Sequence, residues 1–129
     1  MNFPNSEEIR ENLDKLRSDY EVVLYGSIVT GDLRPNSDID VAVITRIQNM
    51  EENEKIQYDL FGIAPLKYDI RVFELFPIYI KIEIIRNYQV LFGNPLEISE
   101  YFYGFRKKWE DCKHRILYNQ FKSYKEILK

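Results

Sequence analysis

Apolar and polar residues follow two different periods along this chain, and the periods predict strands separated by helices. β-Branched apolar runs at residues 21–25 and 38–44 predict buried strands, and alternation over residues 67–74 predicts a third strand. Apolar residues at helical spacing predict an amphipathic helix over 6–18 and a more highly charged helix over 50–61. Strands that alternate with helices are typical of an α/β layer structure.

The pattern of residues 78–85 fits two elements. These residues alternate as in a strand, but three of their isoleucines also share one helix face behind Pro77. We expect a helix here, followed by a short strand over 89–92. A long carboxy-terminal helix over 96–129, with a break near Gly104, is predicted by a stripe spaced three and four residues apart: Tyr101, Phe105, Trp109, Cys112, Ile116, Phe121, Tyr124 and Leu128.

Length and composition narrow the class of protein. The 129 residues, 15% of them aromatic, predict one globular domain over 1–129. A net charge of -3 argues against binding nucleic acid through overall charge, and no sequence-specific nucleic-acid partner is expected. The chain has a single cysteine, no apolar run of membrane-spanning length and no signal-peptide pattern, so we expect a cytoplasmic protein.

The first candidate functional residues directly follow the first predicted strand. Gly26 and Ser27 follow that strand, and a short helical turn after them would direct backbone N–H groups and the serine hydroxyl toward one point, which suits a phosphate. Ten residues later, Asp38 and Asp40 project about 7 Å apart in an extended strand. Two such carboxylates repel each other unless a cation lies between them, and oxygen ligands without His or Cys favour Mg²⁺ or Mn²⁺.

A third acid lies in the middle of the third predicted strand. Asp69 stands among apolar neighbours, where an unpaired charge is costly, so we expect it to complete a metal site with the other two acids. The alternative is structural, because Asp69 could instead pair with Arg71 or Lys67 on the sheet surface.

The spacing of these residues resembles a known signature. Gly26-Ser27, ten residues and then Asp38-Ile39-Asp40 are similar to the GS-x10-DxD motif of the DNA polymerase β-like nucleotidyltransferases, with Asp69 in the position of the third acid. At this length the chain resembles the minimal nucleotidyltransferases, or MNT proteins, over residues 20–95. The resemblance implies a mixed sheet flanked by helices, with the carboxy-terminal helical segment following this catalytic core.

The resemblance also implies a reaction. Two Mg²⁺ ions, or Mn²⁺, would be held by Asp38, Asp40 and Asp69, and ATP would bind with its triphosphate at Gly26 and Ser27. AMP would pass to an acceptor hydroxyl, and for MNT proteins the acceptor is a tyrosine of a HEPN-domain toxin encoded beside them, so that the chain acts as an antitoxin. Many members carry an arginine in the GS turn, whereas this turn has none, and Arg34 is the candidate to compensate.

Two other functions stay open. The missing turn arginine favours a catalytically weak module that binds nucleotide or partner and neutralises a toxin by contact. Transfer to a small molecule or an RNA end is the other alternative. The basic run 106–108 and the lone His114 are interpreted as the solvent-exposed face of the last helix, and Cys112 as part of its apolar stripe. That stripe could also form a homo-oligomer or hetero-oligomer interface.

Overall fold

The computed structural model describes the backbone of residues 5–32 and 37–128 and the side chains of these ranges as far as residue 115. Arg34, expected to bind nucleotide, lies outside the described residues. The same holds for the side chains that complete the predicted stripe of the last helix: Ile116, Phe121, Tyr124 and Leu128.

Four strands form one mixed sheet. The strands are β1 (Glu21–Tyr25), β2 (Ile39–Ile44), β3 (Tyr68–Val72) and β4 (Tyr88–Phe92), in the spatial order β3-β2-β1-β4. β1 pairs antiparallel with both β2 and β4, and β2 pairs parallel with β3. The two inner strands are apolar because both of their faces are covered, whereas the edge strand β3 alternates buried and more exposed residues.

Helices cover both faces of the sheet. They are α1 (Ser6–Asn12), α2 (Ser27–Thr30), α3 (Met50–Leu60), α4 (Ile78–Arg86) and α5 (Pro95–Leu128). One apolar cluster joins one sheet face to α1 and α3, and a second joins the opposite face to α4 and α5. The expected α/β architecture, including the long last helix, is confirmed. Within the described residues, no helix is both long enough and apolar enough to span a bilayer.

The ambiguous run after Pro77 is helical, as expected. Its isoleucines Ile82, Ile84 and Ile85 are buried in the second cluster, beside Phe73. A strand would have placed alternate isoleucines in solvent, because a strand sends successive side chains to opposite faces. The helix buries them against α5 instead, and α4 and α5 are in direct contact.

Three expectations at element boundaries were wrong. The first helix ends at Asn12 and a 3₁₀ turn (Asp14–Leu16) follows, which buries Leu16 beneath the sheet. Phe61, the last residue of the helix predicted over 50–61, follows the end of α3 and is 67% exposed. α5 continues through Gly104 without a break, since apolar residues on both sides of it pack on the second cluster and outweigh the roughly 1 kcal/mol cost of a helical glycine.

The outer edge of β3 is closed by one side chain. Gln57 of α3 donates from Nε2 to the carbonyl of Ile70 at 2.9 Å and accepts at Oε1 from the N–H of Val72 at 2.7 Å. The amide therefore occupies the hydrogen-bonding groups that a further strand would use. This contact holds β3, and the acid it carries, against α3.

Candidate active site

Three side chains form a row across one end of the sheet. In the strand register, Asp40 of β2 lies opposite Tyr25 of β1 on one side and opposite Asp69 of β3 on the other. Directly paired residues point to the same face, so the two carboxylates and the phenol are neighbours. The expected approach of Asp40 and Asp69 is therefore found, and it follows from the parallel pairing of β2 and β3.

The glycine turn lies directly against this row. Gly26 follows the last residue of β1 with φ of 76° and ψ of -147°, a conformation essentially confined to glycine. A Cβ placed on Gly26 would lie 3.3 Å from Cγ of Asp40 and in closer conflict with Oδ2. Glycine is required here for its backbone conformation and because the carboxylate packs on its Cα.

The turn also presents free donors. Val29 and Thr30 donate their N–H groups to the carbonyl of Gly26 at 3.0 and 3.1 Å, which closes the short helix α2. The N–H groups of Ser27 and Ile28 precede these bonds and have no acceptor among the described residues. Ser27 is thus placed as expected, beside Gly26 at the end of the acid row.

Negative charge accumulates around Asp40. Partial burial raises the pKa of the Asp40 carboxyl, and repulsion from Asp69 and then from Asp38 raises it further, while Arg71 lowers it. Asp38 immediately precedes β2, so all three expected acids interact at this end of the sheet. The pKa of the Tyr25 phenol is raised by burial first and by Asp40 and Asp69 after that, so this group stays protonated.

One cation is already in contact with the acids. Arg71 donates from Nε to Oδ1 of Asp69 at 3.0 Å, and the two side chains are 55% and 36% exposed. This is the structural alternative raised for Asp69, and it coexists with the position of Asp69 beside Asp40. A half-exposed ion pair of this kind contributes about 0–1 kcal/mol, so Asp69 can readily exchange Arg71 for another cation.

The donor set suits a hard divalent ion. Among the described residues, no three acid, His or Cys side chains converge closely enough to enclose a metal, and the Asp69 carboxylate is paired with Arg71. The carboxylates nevertheless repel one another, since Asp69 and Asp38 add to the effect of burial in raising the pKa of Asp40, and they carry only oxygen donors. Both properties fit Mg²⁺ better than a soft metal.

The chain that carries this arrangement belongs to the nucleotidyltransferase domain family. The family model matches residues 6–91, more than half of the chain. This membership makes the chain a nucleotidyltransferase. A Methanocaldococcus jannaschii protein, named as a candidate protein adenylyltransferase, is 42% identical over 107 residues, which cover 83% of this chain and 83% of that protein.

Chains in solved toxin-antitoxin structures share this fold. A crystal structure described as a toxin-antitoxin with AMP-PNP matches with a TM-score of 0.63 at 16% identity, covering 97% of this chain and 99% of that one. A chain in the structure of a tri-AMPylated Shewanella oneidensis HEPN toxin in complex with MNT antitoxin matches with a TM-score of 0.56 at 13% identity, covering 96% of each chain. A chain in a crystal structure of the toxin-antitoxin MntA-HepT matches with a TM-score of 0.55 at 15% identity, covering 96% of this chain and 97% of that one.

Two neighbours of the acids were not expected from the sequence as part of the site. Tyr25 forms one end of the row and packs edge-on against Phe76, with ring centres 6.2 Å apart. Arg71 was considered only as a competitor for Asp69. Arg71 is two residues from Asp69, so both side chains lie on one face of β3. This strand period was the sequence signal that could have placed Arg71 in the site.

Proposed function

We propose that this protein transfers AMP from ATP to a hydroxyl of a protein acceptor, a tyrosine of a HEPN-domain toxin, and thereby acts as an antitoxin. The observation that carries the proposal is the pairing of Asp40 with Asp69 beside the Gly26 turn. The name of the Methanocaldococcus jannaschii relative supports a protein acceptor, and the toxin-antitoxin complexes that share the fold support the partner.

The proposed step forms one bond and breaks one. The acceptor oxygen attacks the α-phosphorus of ATP, an O–P bond forms, the α–β phosphoanhydride bond breaks, and pyrophosphate leaves. The acceptor proton passes to a carboxylate, for which we assign Asp69, because it lies on the edge strand β3 and lines the surface groove beside loop 61–66. The free N–H groups of Ser27 and Ile28 donate to phosphate oxygens, and Gly26 lets those oxygens approach the backbone.

Asp38, Asp40 and Asp69 would hold the Mg²⁺ ions of this reaction. When bound, such ions supply positive charge to the attacking and leaving oxygens of an in-line displacement. For Asp69 to become a ligand, its carboxylate has to leave Arg71, and the exposed pair allows that exchange. Arg71 on β3 then remains beside the site as a cation for phosphate oxygens, a charge that the Gly26 turn does not supply because it carries no arginine.

The surface next to Asp69 supports a protein acceptor. A small groove of about 120 Å³ runs beside Asp69 and is lined by loop 61–66. On this loop Phe61 is 67% exposed and Leu66 is 99% exposed. Large apolar side chains kept in water beside a reactive centre are typical of protein-binding surfaces, and a free nucleoside or sugar acceptor does not require them.

A second candidate function is neutralisation by contact, without transfer. It is favoured by the Asp69–Arg71 ion pair, which removes one acid from the metal site as the structure stands, and by the lack of a basic residue in the turn from Gly26 to Gly31. Both functions use the same surface, so they differ only in chemistry.

The experiment combines purified full-length protein, α-labelled ATP, Mg²⁺ and the product of the adjacent gene. We expect label on the partner, with mass increases in multiples of AMP and a modified tyrosine in its peptide map. Asp40→Asn and Asp69→Asn should abolish labelling, while Asp111→Asn, an exposed acid on α5, should not. Inhibition of the partner without label, retained in the Asp40→Asn variant, would favour neutralisation by contact. Label on RNA or on a small molecule instead would overturn the protein acceptor.

A further inference from the structure

A second and larger cavity lies at the opposite end of the sheet from the acid row. Its volume is about 490 Å³, and its walls come from the segment after β2, from Glu74 and from α4 and α5. Arg46 in this wall is six residues beyond Asp40, a separation of roughly 20 Å along an extended strand. The cavity is therefore a separate site, with a volume in the range of small-molecule pockets.

Two lysines converge on one aromatic ring in this cavity. Nζ of Lys81 lies 4.8 Å from the centre of the Phe105 ring, and Nζ of Lys108 lies 5.7 Å from the same centre. The ring face attracts each ammonium group, but the two charges repel each other. Burial lowers the pKa of Lys81; the Glu74 carboxylate partly opposes this, and Lys108 adds to the lowering. Neither ammonium has a carboxylate within 4.0 Å in the described part of the chain.

The one carboxylate in the cavity wall is already committed. Glu74 accepts hydrogen bonds at Oε1 from the N–H of Thr45 at 3.1 Å, and at Oε2 from the N–H of Arg46 at 2.9 Å and the hydroxyl of Tyr101 at 2.7 Å. These bonds hold the segment after β2, where Arg46 has a φ of 60°. Glu74 is thus a structural anchor, and its single negative charge, which acts on Lys81, faces the positive charges of two lysines.

Arg46 also lines the cavity, but its positive charge is already paired with the carboxylate of Glu21. Its guanidinium donates to both oxygens of Glu21, at 2.6 and 3.1 Å, and lies over the Tyr101 ring at 4.6 Å. With that pair set aside, two lysines face one fully bonded carboxylate, in a chain whose net charge is -3. An excess of positive charge in an acidic protein marks a place for an anion.

We propose that this cavity binds the phosphate groups of a small molecule, either free pyrophosphate or the phosphates of a nucleotide, between Lys81 and Lys108. An oxyanion placed between the ammonium groups removes their repulsion and gains charge-assisted hydrogen bonds from both. Burial of Lys81 against Phe105 strengthens that attraction, because the surroundings screen charge less than water does. The site does not depend on the identity of the AMP acceptor.

Calorimetric titration of the full-length protein with inorganic phosphate, pyrophosphate and ATP, with acetate as the control anion, tests the proposal. EDTA and an Asp40→Asn background keep phosphate binding at the acid row out of the measurement. Lys81→Met and Lys108→Met should each weaken phosphate or pyrophosphate binding about 5–10-fold, since each removes one charge-assisted contact. Lys107→Met, an exposed neighbour on the same helix that does not line the cavity, should leave binding unchanged.

A cavity-filling variant provides a test that keeps both charges. Gly104 lines the cavity, and a Cβ built there meets no atom within 4 Å, so Gly104→Leu begins in open space, adds volume at the cavity wall and favours the helix. It should abolish binding while the protein stays folded. Binding that is equally sensitive to Lys107→Met, or indifferent to Gly104→Leu and both lysine variants, would overturn the site. Tighter binding of ATP than of pyrophosphate would identify a nucleotide as the ligand, and equal binding would identify pyrophosphate.

Discussion

Replacement of Gly26 by alanine tests the contact on which the acid row depends. The backbone conformation at Gly26 costs an L residue about 1–3 kcal/mol, because the Cβ conflicts with its own backbone. The Cβ would also displace the Asp40 carboxylate from its rotamer, at a further cost of about 0.5–1.5 kcal/mol. We therefore expect Gly26→Ala to lower the free energy of unfolding by about 1.5–4.5 kcal/mol, measured by urea denaturation.

The matched control is Gly31→Ala. Gly31 also has a positive φ, 86°, but a Cβ there meets nothing within 4 Å, so only left-handed strain of about 1–2 kcal/mol is expected. A double-mutant cycle then isolates the contact, because in an Asp40→Ala background Gly26→Ala should cost about 0.5–1.5 kcal/mol less. Strict additivity of the two changes would refute the packing of Asp40 on Gly26.

The same substitution has a catalytic consequence. Asp40 is the acid nearest to the glycine turn, and a displacement of about 1 Å in a reacting constellation costs roughly 100-fold in rate. Gly26→Ala should therefore reduce nucleotide transfer by about that factor in protein that circular dichroism shows to be folded. An unchanged rate would mean that the position of Asp40 does not govern the reaction.

Three further outcomes follow from the charges and hydrogen bonds. The raised pKa of Asp40 means that its ionised form destabilises the fold above that pKa, so Asp40→Asn should raise Tm in EDTA at pH 7, with a gain that disappears as the pH falls toward 4. Arg71→Met should lower the Mg²⁺ concentration for half-maximal transfer about 2–5-fold, because Arg71 competes for Asp69; a higher requirement would contradict this. Gln57→Ala should cost about 1–3 kcal/mol of stability by urea denaturation, whereas the exposed Gln89→Ala should be neutral.

The sequence predicted whether a segment is a helix or a strand wherever the apolar pattern extends over many residues or a turn-forming residue marks the end of the segment. The strand Glu21–Tyr25 was predicted at its exact limits because Gly26 ends it and its apolar run is unbroken. Boundaries were less predictable where packing decides them, as at the 3₁₀ turn that buries Leu16 and at Phe61. Among the side chains of α5 described up to residue 115, Ile98 and Phe102 are the most deeply buried, to one side of the predicted stripe, because α4 and β4 set which face is covered.

For the candidate site, the sequence alone determined which residue types are present and their spacing: a glycine-serine turn, a pair of acids and a third acid on a later strand. Only the tertiary structure decided that Asp40 pairs with Asp69 across a parallel ladder, that Asp40 packs on Gly26, and that Arg71 is bound to Asp69. No local sequence pattern predicts the cavity that contains Lys81 and Lys108. The physical reason is that strand order, register and helix packing join residues far apart in the chain, and no period or motif encodes those distances.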